Sequence, residues 1–284
     1  MIEPALADDA FLADVARGRT EANGFRLWWL GQSGFLVQCQ GRHLLLDPYL
    51  SDSLTAKYAG TDKPHVRMTR RVVAPERLDF VDVVTSSHNH TDHLDGETLR
   101  PLRDANPRLA LVIPEANRAF VAERLGCDPA WPIGLDEGGE IELAGFRITA
   151  LPAAHEEIER DAQGRCHHLG YVVRFGGFAL YHPGDCVLYE GLVGRVLPYA
   201  VDLALLPING RAPERRVPGN FTGLEAAWLS AAIGARLAVP CHYEMFEFNT
   251  ASPEAFVAEA SRLRQPHRVL RAGERLSDQD LPRR

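Results

Sequence analysis

The chain has 284 residues, of which 45% are hydrophobic and 24% are charged, a composition typical of a globular protein with a sizeable core. Its formal net charge of -7 argues against a protein that wraps a nucleic-acid backbone, because such a protein needs a basic face. The five cysteines form no CxxC pair, the acidic start does not resemble a signal peptide, and no apolar stretch is long enough to span a bilayer. We therefore expect reduced thiols, no membrane span and a cytoplasmic location.

The predicted elements alternate between β-rich and helical stretches. The first half predicts a helix at 8–21, mostly antiparallel strands at 25–30, 34–40 and 43–50, a buried strand at 81–87, and helices at 95–105 and 114–126. The second half predicts β-rich stretches at 140–155, 168–177, 178–185 and 201–210, a helix at 222–235, a strand at 236–243 and a helix at 252–264. With no repeat and no long linker, the simplest packing is a single domain over residues 1–284, with two sheets and helices outside them.

The stretch "HNHTDH" at residues 88–93 directly follows the apolar run "VDVVTSS". Past the end of a strand, a tight loop can turn His88 and His90 inward together while Asp92 and His93 approach from the other side. Imidazole nitrogens and a carboxylate suit a divalent metal ion. The alternative is a polar, solvated loop, but chance seldom produces so specific a pattern. The sequence therefore predicts a metal site.

Four residues cannot complete the ligand shells of two metal ions, so we expect further ligands from other strand ends. His155 ends "ITALPAAH", Asp185 ends "FALYHPGD", and His242 follows "LAVPC". A single histidine after a strand is more often a hydrogen-bonding group than a ligand. The repeated placement just past apolar strands favours ligands here.

Several segments resemble the metallo-β-lactamase superfamily, which the H-x-H-x-D-H pattern marks. The chain is most similar to the branch that contains L-ascorbate-6-phosphate lactonase and related metal-dependent hydrolases. The similar segments run from about Leu27 to about Asn249 and include "GQSGFLV", "LLLDPYLSDS", "MTRR", "SSHNHTDHLDGETL", "YHPGD", "LPINGR" and "VPCHYEMF". The resemblance implies an α/β (α+β) fold, an αββα sandwich of two mixed β-sheets flanked by helices, with the metals at one edge of the sheets.

The resemblance also implies a ligand set for two divalent ions. The first ion would be held by His88, His90 and His155; the second by Asp92, His93 and His242; Asp185 would bridge both. Two ions roughly 3.5–4 Å apart lower the pKa of a shared water, so a metal-bridging hydroxide would be the nucleophile. Asp92 can orient that hydroxide and accept its proton. Histidine and carboxylate ligands accept Mn²⁺, Zn²⁺ or Fe²⁺. The resemblance to the lactonase favours Mn²⁺, whereas the resemblance to the superfamily as a whole favours Zn²⁺.

Two further residues follow strands near the expected site. We interpret Asp47, in "LLLDPYL", as a group that accepts an imidazole N–H and fixes the orientation of a ligand. An Asp-Pro turn is the alternative. His182 lies three residues before Asp185, and we expect it to face the substrate; a hydrogen bond within its turn is the alternative. The histidines of "CHH", at 166–168, diverge on a strand, and a structural role is expected for them.

Arginine-bearing segments bear on the substrate. Arg211 follows Asn209 and Gly210 where a buried strand ends, so we expect Arg211 and Asn209 at the substrate pocket. Guanidinium binds phosphate or carboxylate through a fork of donors. Whether Arg70 and Arg71, or Arg215 and Arg216, also reach the pocket stays open.

The sequence predicts a metal-dependent hydrolase of a small anionic substrate, with a sugar-phosphate lactone as the leading example. The alternatives are a phosphodiesterase for a cyclic nucleotide or phospholipid, and a metal-binding sensor or scaffold without turnover. The expected partner is a small molecule, without nucleic acid or membrane. The oligomeric state and the exact substrate stay open.

Overall fold

The computed structural model describes residues 1–19 and 24–283. Its helices are α1 (Asp8–Gly18), α2 (Ser53–Lys57), α3 (Gly96–Ala105), α4 (Arg118–Leu125), α5 (Leu192–Val196), α6 (Gly223–Ala232) and α7 (Glu254–Leu263). Its strands are β1 (Phe25–Gly31), β2 (Gly34–Cys39), β3 (Arg42–Leu46), β4 (Val83–Thr85), β5 (Ala110–Pro114), β6 (Ile133–Leu135), β7 (Glu140–Leu143), β8 (Phe146–Pro152), β9 (Leu169–Phe175), β10 (Phe178–His182), β11 (Leu203–Pro207), β12 (Leu237–Cys241) and β13 (Arg275–Ser277). Short 3₁₀ turns lie at Pro75–Arg77, Glu115–Asn117, Leu197–Tyr199, Pro213–Arg215 and Asp278–Asp280.

The strands form two mixed sheets, as expected. One has seven strands in the order β13-β1-β2-β3-β4-β5-β6, antiparallel up to β3 and parallel from β3 onward. The other has six strands in the order β12-β11-β10-β9-β8-β7, parallel between β10 and β12 and antiparallel elsewhere. The sequence interpretation missed β5, β6, β13, α2 and α5. The end of the first predicted helix, at 20–21, lies outside the described residues.

The alternation of side chains along β1 shows why the sheets are layered. Leu27 and Trp29 point into a core that they share with the second sheet, whereas Trp28 and Leu30 pack on the other side. That outer side is covered by α1, α3 and α4, and the indole of Trp28 donates a hydrogen bond to Asp14 of α1 at 2.9 Å. The other sheet is covered by α6, which contacts β11 and β12, and α7 packs on α6. Burial of both faces of the sheets gives the αββα sandwich.

The order of the strands brings several strand ends to one edge of the sandwich. Parallel strands end at the same edge of a sheet, and the chain leaves β3, β4, β10 and β12 directly into segments that carry predicted site residues. Among the described residues, no helix is long and apolar enough to cross a membrane.

Candidate metal centre

Seven side chains meet at this edge and form two overlapping groups. One group holds His88, His90, His155 and Asp185, and the other holds Asp92, His93, Asp185 and His242. Within each group the candidate ligand atoms lie within 4.8 Å of one another. The structure therefore brings together every residue that the sequence proposes as a metal ligand. Their role as ligands stays a prediction.

Asp185 lies between the two groups and turns one oxygen toward each. Its Oδ1 is 3.2 Å from Nε2 of His93 and 3.4 Å from Nε2 of His242, while its Oδ2 is 3.5 Å from Nε2 of His155. The preceding Gly184 has φ +64°, and a Cβ there would lie 2.3 Å from Oγ of Ser87. Only glycine lets this turn hold the carboxylate between the histidines.

Residues behind the ligands fix the orientation of the rings. Oδ2 of Asp47 accepts a hydrogen bond from Nδ1 of His93 at 2.6 Å, and the backbone N–H of Ser87 donates to Oδ1 of Asp47 at 3.0 Å. Nδ1 of His155 donates to the carbonyl of Gly219 at 2.8 Å. In both rings Nδ1 carries the proton, which leaves Nε2 free to bind an ion. Asp47 therefore has the contact expected of it, and Gly219 is a partner that the sequence did not reveal.

Gln32 is a second neighbour that the sequence interpretation missed. Its side-chain amide lies 2.9 Å from Oδ2 of Asp92 and 3.2 Å from Nε2 of His242. The backbone N–H of His242 also donates to the carbonyl of Gln32 at 2.9 Å. In the sequence, only its place in "GQSG", between two glycines at a strand end, could have indicated that Gln32 lies beside the candidate ligands.

The chemistry of these atoms tests whether the cluster suits metal ions. Within the described part of the chain, Nε2 of His88, Nε2 of His93 and Oδ1 of Asp185 are buried without a hydrogen-bond partner. Leaving buried polar atoms unpaired costs about 1–3 kcal/mol each. All three belong to the candidate ligand groups and point into them. The residues therefore fit divalent metal ions.

The electrostatics of the two groups are tightly coupled. Burial opposes the charge on Asp92, but the His93 and His242 rings outweigh it and hold the pKa of this carboxyl well below its usual range. Burial likewise opposes charge on His242, yet Asp185 and Asp92 raise the pKa of this ring to about 9. Burial, together with neighbouring rings, lowers the pKa of His90 to about 4. Burial also opposes the charge on Asp185, but the His242 and His93 rings hold the pKa of this carboxyl well below its usual range. Both carboxylates are thus kept ionised, as metal binding requires.

The centre opens onto a cleft of about 230 Å³. His90, Asp92, His155 and Asp185 line it from below, and the segment around α2 lines one side. Asp92 is the more exposed of the two candidate carboxylates, with 14% of its side chain accessible against 5% for Asp185. Asp92 is therefore the more accessible of the two carboxylates from the cleft.

Arg211 is not among the residues that line this cleft, and its contact with a substrate stays a prediction. Its guanidinium forms two hydrogen bonds with Glu225, at 2.8 and 2.6 Å, and a third with the carbonyl of Asn220 at 3.3 Å. Glu225 also belongs to the capping box that starts α6. The guanidinium of Arg211 therefore holds its loop against α6.

Asn209 and His182 are buried and are not among the residues that line the cleft, and their contact with a substrate also stays a prediction. The side chain of Asn209 bonds to Asn249 at 3.0 Å and to Asn220 at 2.9 Å, so it braces the loop. Nε2 of His182 donates to the carbonyl of Ser33 at 3.0 Å within the core.

The other arginines of these segments are also occupied. Arg70 pairs with Glu3 and Asp8, and Arg71 donates to the carbonyl of Leu50. Arg215 bonds to Asn249 and to the carbonyl of Asn209, and Arg216 pairs with Asp62. None of these four guanidinium groups lines the cleft.

The two adjacent histidines of "CHH" lie in the loop before β9 and not on a strand, and both line a small cavity beside His88 and His90. His167 bonds to Asn117 at 2.9 Å, whereas the ring of His168 lies 5.0 Å from that of His88, centroid to centroid. His168 therefore packs behind a candidate ligand, a contact that the sequence did not indicate.

Comparisons with known proteins agree with this fold. A family model described as beta-lactamase superfamily domain matches residues 42–243. A UPF0173 metal-dependent hydrolase of Opitutus terrae is 32% identical over 255 residues, which cover 88% of this chain and 98% of the relative.

Two solved structures share the architecture. The metallo hydrolase Igni18 of Ignicoccus hospitalis has a TM-score of 0.65 at 23% identity, over 90% of this chain and 98% of its own. A protein of Veillonella parvula, described as a possible metal-dependent hydrolase, has a TM-score of 0.71 at 13% identity. The match covers 89% of this chain and 99% of its own. None of these names specifies a lactone, so the lactonase resemblance stays a prediction.

Proposed function

The chain belongs to the metallo-β-lactamase superfamily and is a metal-dependent hydrolase of that fold, and from this premise we propose that it hydrolyses a small anionic lactone or ester. A sugar-phosphate lactone is the leading candidate. The observation that carries the proposal is the shared carboxylate of Asp185, which lies between two ligand groups at the base of an open cleft.

Each group offers its own set of atoms to one ion. His88, His90 and His155 would hold one ion, and Asp92, His93 and His242 the other, with Asp185 common to both. Two divalent ions there would supply Lewis-acid polarisation of the scissile carbonyl and a water of lowered pKa. Histidine and carboxylate ligands accept Mn²⁺, Zn²⁺ or Fe²⁺.

The remaining chemistry falls to side chains of this chain. Asp92 is ionised, reachable from the cleft and hydrogen-bonded to Gln32, so it can orient the attacking water and take a proton. Gln32 donates to Asp92 and thereby holds its carboxylate in one rotamer. Asp47 and the carbonyl of Gly219 keep the rings of His93 and His155 in place. No serine or cysteine nucleophile is needed for this reaction.

Metal analysis of the purified protein, followed by a substrate screen, tests the proposal. The screen should compare phosphorylated lactones with cyclic nucleotides and glycerophosphodiesters, using protein loaded with Mn²⁺ or Zn²⁺. We expect about two equivalents of metal per chain and metal-dependent turnover of lactones. Turnover of phosphodiesters alone would favour the phosphodiesterase alternative. Stoichiometric metal without turnover of any class would favour the sensor.

A further inference from the structure

The chain uses lysine only twice, and both lysines line the cleft. Of its 31 lysine and arginine residues, only Lys57 and Lys63 are lysines. Lys57 is the last residue of α2, and Lys63 lies in the segment that follows. Both line the same cleft as Asp92 and Asp185. Surface charge elsewhere is supplied by arginine, so a general need for positive charge does not explain the placement of these two amines.

The charges of these lysines are not neutralised by carboxylates. Within the described ranges, no carboxylate oxygen lies within 4.0 Å of either ammonium group. Nζ of Lys63 donates to the carbonyl of Arg216 at 2.6 Å, which leaves two of its three N–H groups for a ligand. Nζ of Lys57 lies 5.2 Å from the ring centroid of Tyr58. Arg124, the one guanidinium that the described residues contribute to the cleft lining, instead donates to the carbonyls of Asn89 and Leu94.

The rings around the lysines favour recognition of an anion. Tyr58 stacks on His65 with centroids 4.4 Å apart, and Phe246 meets His65 edge-on at 5.2 Å. All three rings line the cleft. The rings give the cleft an apolar wall beside Lys57, and a charged hydrogen bond is stronger where less water competes. The wall also offers a flat surface to the body of a small substrate.

We propose that Lys57 and Lys63 form a subsite that binds a phosphate group of the substrate, remote from the bond that is hydrolysed. The inference rests on the proposed function for the reacting end of the substrate and adds the chemistry of its other end. An ammonium group is a compact charge with three rotatable donors, and two of them match the double negative charge of a phosphate monoester. This assignment gives the lysines the role that the sequence predicts for Arg211, whose guanidinium pairs with Glu225 in this structure.

A pair of substrates tests the subsite. Glucono-δ-lactone 6-phosphate and plain glucono-δ-lactone share the reacting ring and differ in the phosphate. With metal-loaded protein, Lys57→Met and Lys63→Met should each lower the ratio of kcat/KM for the phosphorylated over the plain lactone by about tenfold or more, the scale of a lost charged hydrogen bond. Methionine keeps an unbranched, flexible side chain that is one atom shorter, and it removes the ammonium group with its charge and its N–H donors. A ratio that does not change would overturn the inference.

Arg108→Met is the matched control. Arg108 is exposed and lies two residues before β5, at the end of that strand opposite the metal centre. Its loss removes one positive charge from the molecule without touching the cleft. The ratio of kcat/KM should stay at the wild-type value in this variant. An equal fall in Arg108→Met and in the lysine variants would show a long-range effect of net charge and contradict a local subsite.

A binding measurement separates this inference from the proposed reaction. Acetylation can be followed by peptide mass mapping at Lys57, Lys63 and the exposed α-amino group of Met1, with and without inorganic phosphate. Phosphate should slow acetylation of both lysines and leave that of Met1 unchanged. Protection without turnover of any lactone would retain the phosphate subsite and refute the proposed reaction. Turnover without protection would retain the reaction and refute the subsite.

Discussion

The carboxylate of Asp47 and the imidazole of His93 form a buried hydrogen bond of 2.6 Å, with neither side chain accessible to solvent. The bond places the proton on Nδ1 of His93 and aims Nε2 at Asp185 and Asp92. Asp47 itself is held by Ser87 and has a backbone φ of +38°, which L-residues seldom adopt. The strained turn after β3 is maintained by the contacts that orient this ligand.

Removal of this carboxylate should weaken metal binding. We expect Asp47→Asn to lower metal affinity by roughly 10- to 100-fold, the usual effect of losing a partner of a ligand. Competition with a chromogenic chelator measures it. Asp82→Asn is the control, because Asp82 pairs with Arg42 at the start of β4, away from the centre. Unchanged affinity in Asp47→Asn would mean that the packing of His93 alone sets its orientation.

Asp92 should matter more for turnover than for folding. Asp92→Asn keeps the shape of the side chain and removes its ability to take a proton. Turnover of the best substrate should fall at least about a hundredfold, the scale of lost acid-base catalysis. Circular dichroism should show an intact fold. If kcat is retained at full metal loading, Asp92 is only a ligand.

Chelation should lower both activity and stability. Once the ions leave, the buried ligand atoms of His88 and Asp185 have no partner, and the clustered groups lose the charge that balances them. An ion present at about 100 times its Kd contributes about 2.7 kcal/mol, so the Tm should fall by roughly 5–10 °C. Scanning calorimetry with and without chelator measures the change, and added Mn²⁺ or Zn²⁺ should reverse it. Full activity of metal-free protein would contradict the two-ion site.

Arg211→Ala should act on the loop and not on substrate charge. Arg211 bonds to the carbonyl of Asn220, next to the Gly219 carbonyl that orients His155. Its ion pair with Glu225 is half-exposed, so its loss should cost at most about 1 kcal/mol. We expect kcat/KM for phosphorylated and plain lactones to fall equally. A selective loss on the phosphorylated substrate would return Arg211 to the role that the sequence suggested.

His43 should make stability fall in mild acid. Burial, and then the charge of Arg19, lower the pKa of His43 to about 4, and its Nε2 accepts a hydrogen bond from the Gln38 amide at 2.8 Å. The unfolded chain, with a pKa near 6.5, takes up the proton first, so stability is lost as pH falls from about 6.5 to about 4. The free energy of unfolding should fall through His43 by at most about 1.4 kcal/mol per pH unit.

Urea unfolding of wild type and His43→Gln between pH 7 and pH 4 isolates this effect. Glutamine removes the titrating ring. The free energy of unfolding of the variant should therefore fall less steeply with decreasing pH, and the difference from wild type is the contribution of His43. Equal slopes would assign the acid sensitivity to the histidines of the metal centre.

The predicted ligands illustrate what the sequence determines. His88, Asp185 and His242 each stand just past an apolar run, and a strand end fixes where such a residue lies before its partners are known. Parallel strands of one sheet finish at a common edge, which brings Asp185 and His242 together after β10 and β12. His88 follows β4 of the other sheet, so its approach to them depends on how the two sheets pack. Asp47 is likewise placed by a strand end, since it directly follows β3.

The sequence could not determine which cation reaches the cleft. Arg211 and Lys63 are both charged loop residues, and nothing local distinguishes them. Glu225, on α6, forms an ion pair with the guanidinium of Arg211, whereas no carboxylate among the described residues pairs with Lys63. Long charged side chains take the partners that distant segments offer, and only the packing of those segments decides between an ion pair and an open binding group.

His182 shows the same division between local and tertiary information. Its position before Asp185 placed it near the metals along the chain, but β10 turns its ring into the space between the sheets, where Ser33 binds it. A residue at a strand end is placed by the sequence alone, because the strand fixes its backbone. The direction of its side chain depends on which sheet packs against that strand, and that was decided by the tertiary structure.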